Sequence, residues 1–184
     1  MQAISKRDTL VETALKLFSE AGFHATGIDG ILAAANVARM TLYHHFASKQ
    51  ALILATIDLH GSRNQQALEK AIVAAGANPR DQLLAPFTAF DEALRLEPAR
   101  IQRGCLLVNA AAEFSDPADP VHVAVAERQQ KLIDLQSLVA RRNGCREPER
   151  LAIRLALLLD GAKALAQVTG DNLQSRRQGR SRQS

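Results

Sequence analysis

Tryptophan is absent from this 184-residue chain, and aromatic residues make up only 4% of it, as one tyrosine and six phenylalanines. Cysteine is scarce as well. Cys105 and Cys145 are the whole complement, too few for a disulfide framework or a zinc cluster of their own. A reduced, cytoplasmic setting is the expectation. No uncharged apolar run approaches the roughly 20 residues that span a bilayer, so no membrane partner is expected. The opening MQAISKRDTLVETALKLF sets Asp8 and Glu12 inside its apolar pattern and reads as neither a signal peptide nor an anchor. Strand alternation is nearly missing, and no GxSxG, Walker or HExxH motif occurs. The expectation is a protein that is not an enzyme and carries no cofactor.

Acid is missing from one place in particular. The tail after Leu173 holds Arg176, Arg177, Arg180 and Arg182 without a carboxylate, which accounts for the whole formal charge of +4. Nineteen bases therefore face nineteen acids in the rest of the chain, so the high isoelectric point is a property of the tail. This Arg/Ser/Gln segment reads as a disordered, solubilising appendage.

What is present is alanine and leucine, with apolar residues recurring at three and four, the period of a helix. The first helix is expected from Ser5 to Ala21, capped by Ser5 with Asp8 at the reciprocal position and stopped by Gly22. Leu10, Ala14, Leu17 and Phe18 form its buried stripe, and Phe23 packs back on it. A short helix over 28–35, a turn at Asn36-Val37-Ala38 and a third helix over 39–45 follow. Ser48 caps a fourth helix to about Ala75, some 40 Å long. No proline precedes Pro79; the six prolines at 79, 86, 98, 117, 120 and 148 punctuate the rest. Asn78-Pro79 opens a helix toward Leu96 with a kink or restart at Pro86. A helix over about 101–114 is next. Asp116-Pro117-Ala118-Asp119 starts another to about Arg142, ended by Gly144, and Pro148 opens the last, to about Gly170.

The stretch GFHATGIDGILAAANVARMTLYHHFASK, residues 22–49, carries the functional signal. Two short helices flank a three-residue turn, with Ile28, Ile31, Leu32, Val37, Leu42 and Phe46 as the apolar contacts. That is a helix-turn-helix pattern, whose second helix can enter the major groove. The wider pattern resembles the DNA-binding domain of TetR-family transcriptional regulators. The matching residues are Phe18, Gly22-Phe23, Ala25-Thr26, Ile31, Val37, Thr41-Leu42-Tyr43-His44-His45-Phe46, Ser48-Lys49 and Leu52. The resemblance is strong over about the first 55 residues, and Gly104–Glu113 looks like a segment seen in one subset of that family.

The resemblance implies an all-α protein. Residues 1–48 form a three-helix helix-turn-helix DNA-binding domain, residues 49–172 a helical effector-binding and dimerisation domain, and residues 173–184 the basic tail. It implies a homodimeric repressor that binds a palindromic DNA operator and is released by a small-molecule effector. In this reading Tyr43 donates to a phosphate, His44 faces the groove or the backbone, and Lys49 neutralises a phosphate. Arg39, Met40 and Thr41 stand where base edges come closest; Arg39 suits guanine, and Met40 or the Thr41 methyl suits a thymine methyl. Asn36 replaces the usual turn glycine but tolerates the left-handed conformation. Ala38 replaces the usual serine or threonine and forgoes an N-cap of about 1 kcal/mol.

Other features have plainer readings. His44 and His45 point about 100° apart on a helix and have no completing ligand nearby, so no metal site is expected. Glu113, Asp116 and Asp119 read as a helix end and the next helix start, a solvated group. Cys105 reads as a small buried core residue, or alternatively as a thiol at a helix start, activated for redox or electrophile sensing. For the effector, expected to be apolar or aromatic, the candidates are His60, Asn64, Phe87, Phe90, Cys105 and Asn109, the last two read as sharing one helical face. For the dimer, the stripes Val121, Val125, Leu132, Leu135, Val139 and Leu151, Leu155, Leu158, Ala162, Leu165 are expected to form a four-helix interface.

Overall fold

The computed structural model describes residues 5–96 and 103–169. Among them lie eight α-helices and no strand: α1 (Lys6–Ala21), α2 (Ile28–Ala35), α3 (Arg39–His45), α4 (Lys49–Ala74), α5 (Pro79–Leu96), α6 (Leu106–Glu113), α7 (Pro120–Arg142) and α8 (Pro148–Thr169). The arginine-rich tail and the expected helix start near Ile101 lie outside the described residues. No described helix is long and apolar enough to cross a membrane.

Two compact units emerge. One comprises the described residues up to Asn64 together with Leu106–Gln130; the other comprises the described residues of Gln65–Cys105 and those from Lys131 onward. The first unit therefore extends past Ser48. It takes in the first half of α4, all of α6 and the start of α7.

In the first unit, local chemistry sets α1. Ser5 is extended, and its hydroxyl accepts the Asp8 N–H at 3.1 Å. The same hydroxyl donates to the Asp8 carboxylate at 2.7 Å, a side-chain contact between the two residues of the expected box. Gly22 ends the helix at φ 86° while its N–H bonds the Phe18 carbonyl. That reversal sends Phe23 back onto Phe18, and the two rings stack at 4.9 Å between centroids. Both rings are buried with Leu10, Ile31 and Leu42 in the core where α1 packs against α2 and α3. Burial of each such side chain stabilises by about 1.5–3 kcal/mol.

Gly61 lies inside α4, where glycine costs about 1 kcal/mol relative to alanine. A Cβ there would collide with the aliphatic stem of Arg128, which crosses the helix at this point and pairs with Asp58. The glycine is the gap that admits the arginine.

The second unit is built mainly from small residues. Leu68, Ala85, Val139, Ala140, Ala152, Ala156 and Ala166 are its buried apolar members. Pro86 stands buried within α5, which continues through it without the expected restart. The Asn78 side chain accepts the Arg80 N–H at 3.0 Å and starts that helix. α7 starts later than expected. Asp116 caps a turn through Ala118, and Asp119 accepts the Val121 N–H at 2.7 Å with Pro120 as the first helical residue. Pro120 has no N–H to offer and fits there as Pro117 would.

The α2–α3 turn is the most demanding piece of backbone. Asn36 adopts φ 52°, ψ 49°, the one described non-glycine residue with positive φ. Its N–H bonds Ala33 and the next, of Val37, bonds Leu32, the paired ending of a Schellman motif. Replacing Asn36 by valine should lower the unfolding free energy by roughly 1–2 kcal/mol, the penalty for a branched residue in the left-handed region. Asn36→Gly should lower it by no more than about 0.5 kcal/mol. Urea unfolding of both variants checks this, and equal losses would show that the left-handed turn is not the cause.

Candidate nucleic-acid interface

The seven residues of α3 bury one side chain, Leu42. Phe46, just past its end, is buried as well, and together they hold the helix to the core from one side. Everything else faces outward or is half covered. Met40 is 83% exposed and Tyr43 48%, Arg39, His44 and His45 are exposed, and Thr41 is half-buried. Arg39, Met40, Tyr43 and His44 fall at i, i+1, i+4 and i+5, so one face of the helix carries them all. Ala38 precedes α3 without a side-chain cap; its carbonyl takes the Thr41 and Leu42 N–H groups, while no hydroxyl serves the first turn.

Arg39 is already engaged. Its guanidinium pairs with Asp29, which stands in the first turn of α2, and both side chains remain more than half exposed. Lys49 is half-buried and donates to the His24 carbonyl at 3.4 Å, so its ammonium is anchored on the loop between α1 and α2. Arg7 lies over the Phe46 ring at 5.4 Å and brings a further cation to the end of α3. The rings of His44 and His45 stand 5.1 Å apart at 70°. Among the described residues no group of three His, Cys, Asp or Glu side chains could hold a metal ion.

The effector candidates are distributed over both units, His60, Asn64 and Asn109 in the first and Phe87, Phe90 and Cys105 in the second. His60 and Asn64 pair with each other at 3.0 Å, one turn apart on α4. Phe87 and Phe90 are half-buried on α5. Asn109 lies within α6, and that helix begins at Leu106, so Cys105 stands one residue before its first residue rather than inside it. Gly104 at φ 83° breaks the backbone there, which is why the helix starts late. A cavity of about 860 Å³ lies between the end of α4 and α5, lined by Ala71, Leu84, Thr88, Glu92 and Leu96 among others. None of the six candidates lines it.

Residues that sequence reasoning passed over include Asp29, Arg7 and Gln136. Asp29 lies ten positions before Arg39 across a turn, beyond the reach of any helical-spacing rule. Gln136, buried on α7, leaves its side-chain oxygen without a hydrogen-bond partner. Glu113 was expected as part of a solvated group; instead its carboxylate accepts the N–H groups of Phe23 and His24 at 2.9 and 2.7 Å.

A short helix held by its apolar edge, with a basic and hydrogen-bonding face turned to solvent and a second helix set across it, defines a helix-turn-helix DNA-binding protein. Residues 10–56 match the family described as bacterial regulatory proteins, tetR family. A crystal structure of a TetR-family transcriptional regulator from Streptomyces coelicolor is 32% identical with a TM-score of 0.82, covering 94% of this chain and 89% of that one. The Escherichia coli (strain K12) HTH-type transcriptional repressor NemR is 29% identical over 173 residues, 89% of this chain and 84% of that protein. The crystal structure of the E. coli NemR reduced form aligns with a TM-score of 0.76 at 27% identity, covering 90% of this chain and 88% of that one. The chain belongs to the TetR family of transcriptional regulators.

Proposed function

We propose that this protein is a homodimeric transcriptional repressor that binds a palindromic operator and is released by a small-molecule effector. Residues 1–48 carry the DNA contact, and the helices of 49–172 carry dimerisation and the effector. The outward face of α3 is the observation that carries this reading. An exposed Met40 beside Arg39, Tyr43 and His44 has no role in the core and suits a groove. Two copies of α3 about 34–36 Å apart then read two half-sites one turn apart. Repression is supported by the description of NemR as a repressor. The setting is the cytoplasm, where the operator is.

Arg39 reads a guanine by exchanging the Asp29 carboxylate for the two acceptors of the base edge. Tyr43 and Lys49 act on phosphates. A duplex selected from a random library by the purified protein tests this division. Tyr43→Phe and Lys49→Ala should weaken binding to all duplexes alike, with Lys49→Ala reducing the salt slope by about one. Arg39→Ala should instead change which variants bind, by about 1–3 kcal/mol at one base pair. Equal loss of discrimination in all three would reject the assignment.

For the dimer, the uncovered apolar strip of α8 is the support. Ile153, Leu157, Leu158, Leu165 and Val168 are exposed at helical spacing, and Gly161 between them has open space beside it. The expected stripe on α7 is revised: Val121, Val125 and Val139 are buried within the protomer and are not free to meet a partner. Leu151, Leu155 and Ala162 are half-buried, so the interface shifts around α8 toward Leu157. Leu158→Asp should split the dimer and abolish operator binding. A variant that stays dimeric by sedimentation at micromolar concentration refutes this face.

The effector fits the α4–α5 cavity by size, since pockets for small ligands run to about 300–1,000 Å³. Thr88, Glu92 and Lys70 give the cavity's otherwise apolar wall polar contacts as well. A second reading is thiol-based sensing through Cys105. It is favoured by the position of this half-buried thiol directly before α6, and by the similarity to a protein crystallised in a form named reduced. Cys105→Ser should abolish any loss of DNA binding caused by hypochlorite or N-ethylmaleimide. A response that survives this substitution excludes the thiol.

A further inference from the structure

We propose that Glu113 is a positioning residue for DNA binding, a latch that holds the end of α6 on the loop before α2 and so sets how the helix-turn-helix is presented to the operator. The proposal rests on the operator-binding, dimeric reading of the protein. Local rules do not explain this residue. Glu113 is the last residue of α6, where the helix dipole disfavours a carboxylate. Two backbone donors offset that cost: the Phe23 N–H meets one carboxylate oxygen at 2.9 Å and the His24 N–H the other at 2.7 Å. Phe23 is fully buried, so its N–H would otherwise go unsatisfied.

The surrounding residues are shaped for the contact. A Cβ on Gly22 would come within 2.8 Å of the Glu113 oxygen, so the glycine that ends α1 also admits the carboxylate. The His24 ring nitrogen Nε2 lies 3.0 Å from the Glu113 carbonyl, and because a carbonyl only accepts, Nε2 carries the proton. Phe114 follows with its ring 6.0 Å from Phe23 and 4.8 Å from His24. On the other side of the loop Lys49, assigned above to a phosphate, holds the His24 carbonyl. One short loop is thus bonded to α6 by its N–H groups and to a DNA-contacting lysine by its carbonyl.

The α1–α3 core of Leu10, Phe18, Phe23, Ile31 and Leu42 closes without Glu113, so losing the latch frees the orientation of the helix-turn-helix and leaves its fold intact. Operator binding requires two recognition helices at a fixed spacing, whereas binding to random sequence requires only phosphate attraction. The latch therefore acts on discrimination.

The test uses the full chain, a duplex selected by the wild type from a random library, and a scrambled duplex of equal length at one salt concentration. Binding by anisotropy and hydrogen exchange at Phe23 and His24 are measured for wild type, E113A and E113Q. E113A should exchange both amides faster and lose about 10-fold in the ratio of selected to scrambled affinity, within the span of coupled sites. E113Q, which keeps one accepting oxygen, should fall between. A merely structural residue would lower the active fraction and leave the ratio unchanged. An unchanged ratio in either variant whose amides exchange faster overturns the latch while the DNA reading stands; E113Q carries the test if E113A does not fold. A wild type that enriches no duplex overturns both.

Discussion

The reversal at Gly22 is the constraint on which the first unit depends. A left-handed glycine ends α1, and only that backbone conformation returns Phe23 to stack on Phe18. Ile31 of α2 and Leu42 of α3 are buried in the same core, where both helices pack against α1. Thr26, buried a few residues on, donates its hydroxyl to the Gly22 carbonyl at 2.7 Å and fixes the path of the loop into α2. The loop's outward N–H groups are left pointing at α6, where Glu113 takes them. One turn thereby sets the core, the entry to the helix-turn-helix and its attachment.

The helix-turn-helix itself is stabilised from outside. Helices of seven and eight residues are too short to persist alone in water, where isolated helices below about 12–15 residues are marginal. α2 has no side-chain cap at Gly27, and α3 has none at Ala38. What holds them is the left-handed Asn36 turn and the burial of Ile31, Leu32, Leu42 and Phe46. Because α3 buries only Leu42, five of its seven side chains stay exposed and Thr41 is half-buried. Weak local helix propensity and a rich outer face are two sides of the same economy of burial.

The second unit shows the opposite imbalance. Its buried residues are largely alanines, while large aliphatic side chains on α8 stand in solvent. A protomer that exposes Leu157, Leu158, Leu165 and Val168 on one helix leaves an apolar strip that water disfavours, and a second copy would cover it. Glu149 at the start of α8 is held below the usual carboxylate range, first by a backbone N–H of the helix start and then by Arg141. A second ion pair, Lys163 with Asp160 at 3.0 Å, lies within α8 beside the exposed apolar strip.

Helix order and most helix ends were legible in the sequence, because caps, terminal glycines and first-turn prolines act within four residues. Ser5, Gly22, Asn36, Ser48 and Pro148 each act where sequence reading put them. The core of the first unit was legible too, since helical periodicity marks Leu10 and Phe18 and the helix-turn-helix pattern marks Leu42 and Phe46. Where two such signals competed, as at Pro117 and Pro120, backbone geometry chose the later one. Gly104 likewise moved the start of α6 beyond Cys105. Only the tertiary structure decided the pairs. Arg39 meets Asp29 across a turn, Gly61 yields to Arg128, and Glu113 reaches Phe23 over 90 positions. A carboxylate at a helix end looks solvated from its neighbours in sequence, because the donors that hold it belong to a distant loop brought near only by the packing of the unit.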